Sequence, residues 1–402
     1  MKHLRTLLIL LSLSLSSYSP WATKVLAQEP IDIPEYKAAL LTCGPSDLET
    51  FMLYGHTAIR IWDTNGEEDY VFNYGLFSFD QPNFLMNFAL GKPLYALGIS
   101  PMSDFIDAYR YEGRSVSQQV LNLSQSEIKE MYDFLRWNAL PENRDYIYNF
   151  YFDNCSTKPR DLIEQFSKGM KIVGMEEMPT FRSILRHYTR TDRWYTFLCE
   201  LPLGAQTDKV MSLSEAAFLP LMLEKELDHA VRSDNNEPLV RAKTVLVQET
   251  RPVGTKKDSP ITPTTMIIWI LLVYALLVML KPRIPHALSV YRSLLFITIS
   301  VCGIILWFLG LISHHPHTFP NLNMLLFTPL YLPLAITIWF SQCKRINNWL
   351  YFINFVGIFL CAVGVIFGYQ TLPEGMTILF GLICVDHALY SGVLNYIKSK
   401  RQ

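Results

Sequence analysis

Hydrophobic and polar positions divide the chain into two regimes that meet near Thr265. Upstream, apolar residues come in short alternating or amphipathic runs. His56-Thr57-Ala58-Ile59-Arg60-Ile61-Trp62 alternates into the turn signal Asp63-Thr64-Asn65-Gly66, and Tyr70 to Phe77 is again strand-like, which predicts a β-hairpin. Asp80 followed by Pro82 opens a short helix closed by Gly91, and Arg114 to Leu123 reads as a strand. Ser124-Gln125-Ser126-Glu127 is a capping box before a helix that stops at Pro141. Asn154-Cys155-Ser156-Thr157-Lys158-Pro159 leads into the amphipathic segment Arg160 to Phe166, so Cys155 falls at or just before a helix N-terminus.

Downstream the pattern changes to long apolar stretches, each near the roughly 20 residues a helix needs to cross the hydrocarbon core. Five are expected: Thr265 to Leu280, Leu294 to Ile312, Met324 to Phe340, Trp349 to Phe367 and Met376 to Tyr396, with a kink in the third at Pro329 and Pro333. Lys281, Arg283 and Arg292 follow the first, Lys344 and Arg345 the third, and Lys398, Lys400 and Arg401 the fifth, which assigns those loops to the cytoplasm. The loops His314 to Asn323 and Tyr369 to Gly375 carry no Lys or Arg and face outward. At the other end, Lys2, His3 and Arg5 precede the run Leu7 to Leu15 and then Val25-Leu26-Ala27, the layout of a secretory signal peptide, with an uncleaved anchor as the alternative. The expected organisation is therefore a signal peptide (1–27), an α+β exported domain (28–249), a Pro- and Thr-rich linker (250–264), an all-α five-span domain (265–397) and a basic cytoplasmic tail (398–402). This describes a multi-pass protein of a cytoplasmic (inner) membrane with its soluble domain in the periplasm.

The net charge of −1 offers no clustered positive face, which excludes a nucleic-acid partner. Of seven cysteines only Cys43, Cys155 and Cys199 precede the membrane region, and an odd number in an exported domain leaves a thiol unpaired. A cysteine at a helix start has its thiolate favoured by the unpaired amides and the helix dipole, which lowers its pKa and makes Cys155 the expected nucleophile. His56, introduced by Gly55, is the only histidine of the exported region that precedes it, and so the expected base. The next strand offers Asn73 and Tyr74 to fix the imidazole tautomer, and Asn73 is taken as the third catalytic residue. His187 and His229 are rival bases on charged, helical stretches. Cys43 precedes a Gly-Pro turn, where no dipole activates it; a second acyl-carrying thiol or a disulfide partner of Cys199 are both open to it.

The order of a strand histidine, a polar residue on the next strand, and Asn-Cys at a helix start resembles the circularly permuted branch of the NlpC/P60, papain-like superfamily that includes lecithin:retinol acyltransferase. Leu41-Thr42-Cys43-Gly44-Pro45, Tyr54-Gly55-His56-Thr57-Ala58-Ile59-Arg60, Phe72-Asn73-Tyr74-Gly75, Glu112-Gly113-Arg114, Tyr148 to Thr157, and Leu203-Gly204 with Asp208 resemble the Lnb family of lipoprotein N-acyltransferases of Bacteroidota. The resemblance implies a papain-like fold and transfer of an acyl chain, through a Cys155 thioester, to the α-amine of a lipoprotein's lipidated N-terminal cysteine. It implies a phospholipid or lipoprotein as donor and no cofactor or metal. Tyr54, Tyr74, Arg114, Asn154 and Ser156, within the matching strings, are the expected substrate contacts. The Cys155 backbone N–H and one unplaced neighbour would meet the oxyanion.

Other polar positions remain. His314, His315, His317, Asn321 and Asn323 concentrate in an outward loop; His314, His315, Asn321 and Asn323 are expected to contact a head group or dock the soluble domain, in preference to holding a metal for which no carboxylate or cysteine is at hand. Phe79, Phe84, Leu85, Phe88 and Leu90 are either membrane-facing surface or, as favoured here, ordinary core. Asp386-His387, near the middle of the last span, should face the bundle interior. Two rivals to acyl transfer stand: a papain-like amidase or peptidase of cell-wall peptides, which needs no bilayer access, and a non-enzymatic membrane scaffold.

Overall fold

The computed structural model describes residues 35–175, 178–251, 253 and 259–391. The expected signal peptide, part of the linker (252 and 254–258), the end of the fifth apolar stretch (392–396) and the basic tail lie outside the described residues.

The soluble domain is α+β. In chain order its elements are β1 Tyr36–Cys43, β2 His56–Asp63, β3 Asp69–Leu76, α1 Phe84–Ala89, β4 Leu94–Pro101, α2 Met102–Glu112, β5 Val116–Leu121, α3 Gln125–Asn138, β6 Asp145–Ile147, α4 Thr157–Phe166, β7 Met170–Ile172, α5 Phe181–Thr189, α6 Arg193–Glu200, α7 Pro220–Asp228, β8 Ala230–Arg232 and β9 Val240–Val247. Seven strands form one sheet in the order β6-β4-β3-β2-β1-β5-β9, with every neighbour antiparallel. The predicted β2–β3 hairpin is present, and Asp63 closes its turn by accepting from the N–H groups of Gly66, Glu67 and Glu68. Ser124 and Glu127 form the predicted capping box of α3.

Both faces of the sheet are covered, which is why β1 is buried almost throughout instead of alternating. On one face Leu40, Ile59, Phe72 and Leu97 pack against Met131 and Leu135 of α3, Ile163 of α4 and Leu223 of α7. On the other, Leu41, Ala58 and Val71 meet Met102 and Phe105 of α2. A third cluster, rich in aromatic rings, joins Tyr54, Tyr151, Phe181 and Phe218. It lies toward the membrane domain, since the His317 ring packs edge-on against Tyr151 and tilted against Phe181.

The helical domain comprises α8 Pro263–Leu280, α9 Pro285–Leu311, α10 Tyr331–Thr337, α11 Lys344–Ile366 and α12 Met376–Tyr390. Among the described residues three helices are long and apolar enough to cross a membrane, Pro263–Leu280, His286–Leu311 and Ser341–Ile366; Asn323–Thr337 and Met376–Tyr390 are shorter apolar segments, the first of them interrupted. The expected third span breaks outright where a kink was expected: a single turn at Asn323–Leu326 is separated from α10 by Phe327 to Leu330. The freed backbone is satisfied inside the bundle, as Ser300 donates to the Pro329 carbonyl and Gly303 lets the Phe327 carbonyl approach.

Arg292 corrects the loop assignment. It lies within α9, buried, with Nε 2.6 Å from one Asp386 oxygen and Nη2 3.1 Å from the other. Tyr274 donates to the same carboxylate at 3.0 Å, and the Tyr390 ring lies 3.8 Å from the guanidinium. Asp386 faces inward as expected, and a charge held away from water there requires a counter-ion, which Arg292 supplies.

Candidate active site

The site forms where β2 and β3 part. Their pairing runs from Trp62–Asp69 to Ile59–Phe72. Beyond it His56 and Thr57 on β2 face Asn73 and Gly75 on β3 across a gap that the segment before α4 fills, with the Thr57 hydroxyl donating to the Cys155 carbonyl. Gly75 has φ +103°, and a Cβ placed there would lie 3.5 Å from Cys155 Cβ and 3.8 Å from His56 Cε1. The thiol and imidazole therefore flank one small space that glycine keeps open.

Asn73 Oδ1 lies 2.5 Å from His56 Nε2. An amide oxygen only accepts, so Nε2 carries the proton and Nδ1 presents its lone pair. Cys155 sits two residues before α4, and its loop is fixed by Asn154, whose Oδ1 accepts from the N–H groups of Ser156 and Thr157 while its Nδ2 donates to the carbonyls of Phe150 and Phe218. Ser156 donates to the Ala217 carbonyl. Two of the free amides at the helix start are thus consumed by Asn154.

The lowered pKa expected of a cysteine at a helix start is not found. Burial pushes the Cys155 thiol up to about 11, against the opposing pull of the backbone N–H groups of Thr57 and of Cys155 itself and of the Arg114 charge. Burial also lowers the His56 imidazole to about 4; the Asn73 hydrogen bond opposes that shift and Arg114 reinforces it. Desolvation outweighs the helix start, and the resting pair at neutral pH is thiol and neutral imidazole.

Both groups open onto a cavity of about 520 Å³. Its lining includes the aromatic rings of Phe51, Phe77, Tyr95 and Tyr148 and, on α2 and just after it, Asp104, Tyr109, Glu112 and Arg114. Arg114 is buried, donates to the Gly44 carbonyl and to Glu112, and keeps Nη2 without a hydrogen-bond partner. Of the expected substrate contacts, Arg114 lines this cavity and Tyr54 and His315 line a neighbouring one. Tyr74 instead donates to Asn138, and Asn154 and Ser156 hold the cysteine loop in place of touching a ligand.

Asn321 and Asn323 likewise correct to docking: both side chains are buried and donate to the Leu201 carbonyl. Beside them Gln370 reaches the Leu203 carbonyl, and the Gly204 and Ala205 amides donate to the carbonyls of His317 and Pro320. The loop histidines diverge, His314 bonding the Leu90 carbonyl through its backbone, His315 Nε2 lying 2.8 Å from the Phe88 carbonyl, and the His317 ring packed on aromatics. His187 and His229 line a separate and larger cavity of about 710 Å³ that shares no residue with the one at Cys155. Cys43 is fully buried beside Tyr109, and both Cys43 and Cys199 are free thiols, so the disulfide open to them is absent.

Sequence reasoning missed Thr57, Gly75, Tyr95, Tyr109 and Arg182. Thr57 and Gly75 stand within the matching strings and Arg182 lies outside them, and all three take their roles from partners far away in sequence: the fully buried Arg182 gathers Asp208 and the carbonyls of Leu203 and Gly204 into the docking turn.

An antiparallel α+β domain carrying a Cys-His-Asn cluster and seated on a bundle of apolar helices defines the class as a membrane protein with a folded domain outside the helices. Residues 25–187 match the Lnb N-terminal periplasmic domain and residues 255–399 the Lnb transmembrane domain. The chain belongs to the Lnb family, and is a multi-pass membrane protein with a periplasmic domain. No curated protein and no solved structure matches it.

Proposed function

We propose that this protein is a lipoprotein N-acyltransferase of the inner membrane, working through a Cys155 thioester. The observation that carries the reading is the Cys155–His56–Asn73 cluster in a cavity with one apolar wall, in a domain locked to membrane helices. A strand-borne histidine ahead of a cysteine at a helix start on an antiparallel sheet supports a permuted papain-like fold. The two shorter apolar segments, the interrupted Asn323–Thr337 and the helix Met376–Tyr390, join the three long helices as five spans.

In the first half-reaction the Cys155 thiol attacks the ester carbonyl of a lipid. The S–C bond forms as the thiol proton passes to His56 Nδ1, and the proton then goes to the departing lipid oxygen as the C–O bond breaks. In the second, the α-amine of the acceptor attacks the thioester. The N–C bond forms, the C–S bond breaks, and the amine proton returns through His56 to the sulfur. The Cys155 and Thr57 amides, both against the sulfur, are the two donors for the oxyanion of each step. Asn73 holds the proton on Nε2 throughout. Carboxylates at Asp104 and Glu112 suit the approach of an ammonium better than of an acyl chain.

The test is mass spectrometry of lipoprotein N-termini from cells with the protein, without it, and with Cys155→Ala. One fewer acyl chain on the terminal cysteine in the last two is the expected result. An unchanged count removes the acyltransferase reading and leaves an amidase or a scaffold.

A further inference from the structure

A second cavity, of about 500 Å³, adjoins the first, and the two share Phe51, Phe77, Tyr95 and Tyr148 as common wall. Its remaining lining is largely apolar and includes Phe79, Phe84, Leu85, Phe88 and Pro316. A continuous ladder of rings runs along it. Tyr148 stacks on Tyr95 at 4.2 Å and Tyr95 on Phe77 at 4.8 Å; Phe77 reaches Phe84 at 6.0 Å, Phe84 reaches Phe88 at 6.1 Å, and Phe88 meets His315 at 5.7 Å. The ladder starts at the wall of the Cys155 cavity and ends on the loop that leaves the apolar helix α9.

The far end is built to stay on that loop. The Leu90 carbonyl accepts from the His314 amide at 2.9 Å and the Phe88 carbonyl lies 2.8 Å from His315 Nε2. Gly91, with φ +71°, leaves no room for a Cβ, which would fall 2.5 Å from the His315 nitrogen. Around this end Phe79, Leu85, Met86 and Phe88 are exposed, Leu85 to 79%. Of the α1 residues favoured as ordinary core, only Phe84 is buried. Exposed apolar side chains at the level of a membrane helix's end meet lipid, not water.

We infer that this aromatic channel holds one fatty acyl chain of a bilayer glycerophospholipid, fed from the membrane beside α1 and the 313–317 loop, with the ester at Cys155. The inference rests on the acyl-transfer reading and names its donor. The charged part of the catalytic cavity's lining, Asp104, Glu112 and Arg114, is absent from the lining of the second cavity and is unfit for a hydrocarbon. The mouth opens where bilayer lipids are already present, so a phospholipid needs no carrier. The channel's length and width then select which chains are transferred.

The experiment uses the purified full-length protein with vesicles of phosphatidylethanolamine and phosphatidylglycerol of mixed acyl lengths, reading the mass of the adduct on Cys155. Thr50→Trp, an exposed position on the channel wall, narrows it, and the ratio of long to short adducts falls about tenfold, the discrimination one or two methylenes give in an apolar pocket. Phe79→Ala, at an exposed ring, shifts the ratio the other way. Unchanged ratios in both variants, with adduct still formed, overturn the channel and leave acyl transfer standing. Adduct from a diacylated lipopeptide but never from phospholipid overturns the donor assignment. No adduct from either donor in the wild type fails the acyl-transfer reading itself.

Discussion

Asn73 Oδ1 faces His56 Nε2 at 2.5 Å, a contact that leaves Nδ1 as the nitrogen able to take a proton from a thiol. Asn73→Ala removes the constraint on the tautomer, and acyl-enzyme formation falls about 10²-fold, at the low end of what a positioned base contributes. Substrate affinity changes little, so single-turnover kinetics separates the two effects.

The neutral resting pair sets the pH dependence. His56, lowered to about 4, accepts a proton at any pH above that value, and acyl-enzyme formation stays level through neutrality and declines as pH falls through about 4. An ion pair would give rapid alkylation at neutral pH; here iodoacetamide labels Cys155 slowly until strongly alkaline conditions, since the thiol is pushed up to about 11. Asn73→Asp sets a carboxylate beside the imidazole, raises its pKa, and moves the acid limb toward neutrality.

Inside the bundle, Asp386→Asn leaves the Arg292 charge buried with only Tyr351 and ring contacts. The loss is about 3–5 kcal/mol of stability, read as early melting of the full-length protein in detergent. Arg292→Met with Asp386→Leu recovers most of it, because neither variant residue requires a partner.

At the docking turn a Cβ on Gly204 would lie 2.1 Å from the Pro320 carbonyl. Gly204→Val forces the domains apart. Acylation from vesicles drops at least about tenfold, whereas hydrolysis of a small water-soluble thioester by the same variant is retained, since Cys155, His56 and Asn73 do not touch the turn.

Much of the fold was legible in local pattern. The β2–β3 hairpin, the α3 cap and the position of Cys155 before α4 depend on residues close in sequence, as does the apolar half of the chain. What escaped depends on distance. No periodicity joins Arg292 to Asp386, and without that partner a lone arginine near a span end reads as a loop charge. The direction of the Cys155 shift escaped for a similar reason: the helix start is visible in the sequence, but the burial that outweighs it comes from the whole cavity. Asn321 and Asn323 were seen as outward and polar, which is correct of the loop; only the tertiary structure supplies the Leu201 carbonyl that occupies them.

The amide clamp of Asn321, Asn323 and Gln370 on the carbonyls of Leu201 and Leu203 has a consequence for recognition. It works as a spacer that sets the altitude of the sulfur above the lipid surface. A polypeptide anchored by its first residue presents its amine at one height whatever sequence follows, and a reactive centre pinned at that height selects by elevation. Under the proposed acyl transfer, many unrelated chains would then qualify as acceptors, and a free amine farther from the bilayer would not.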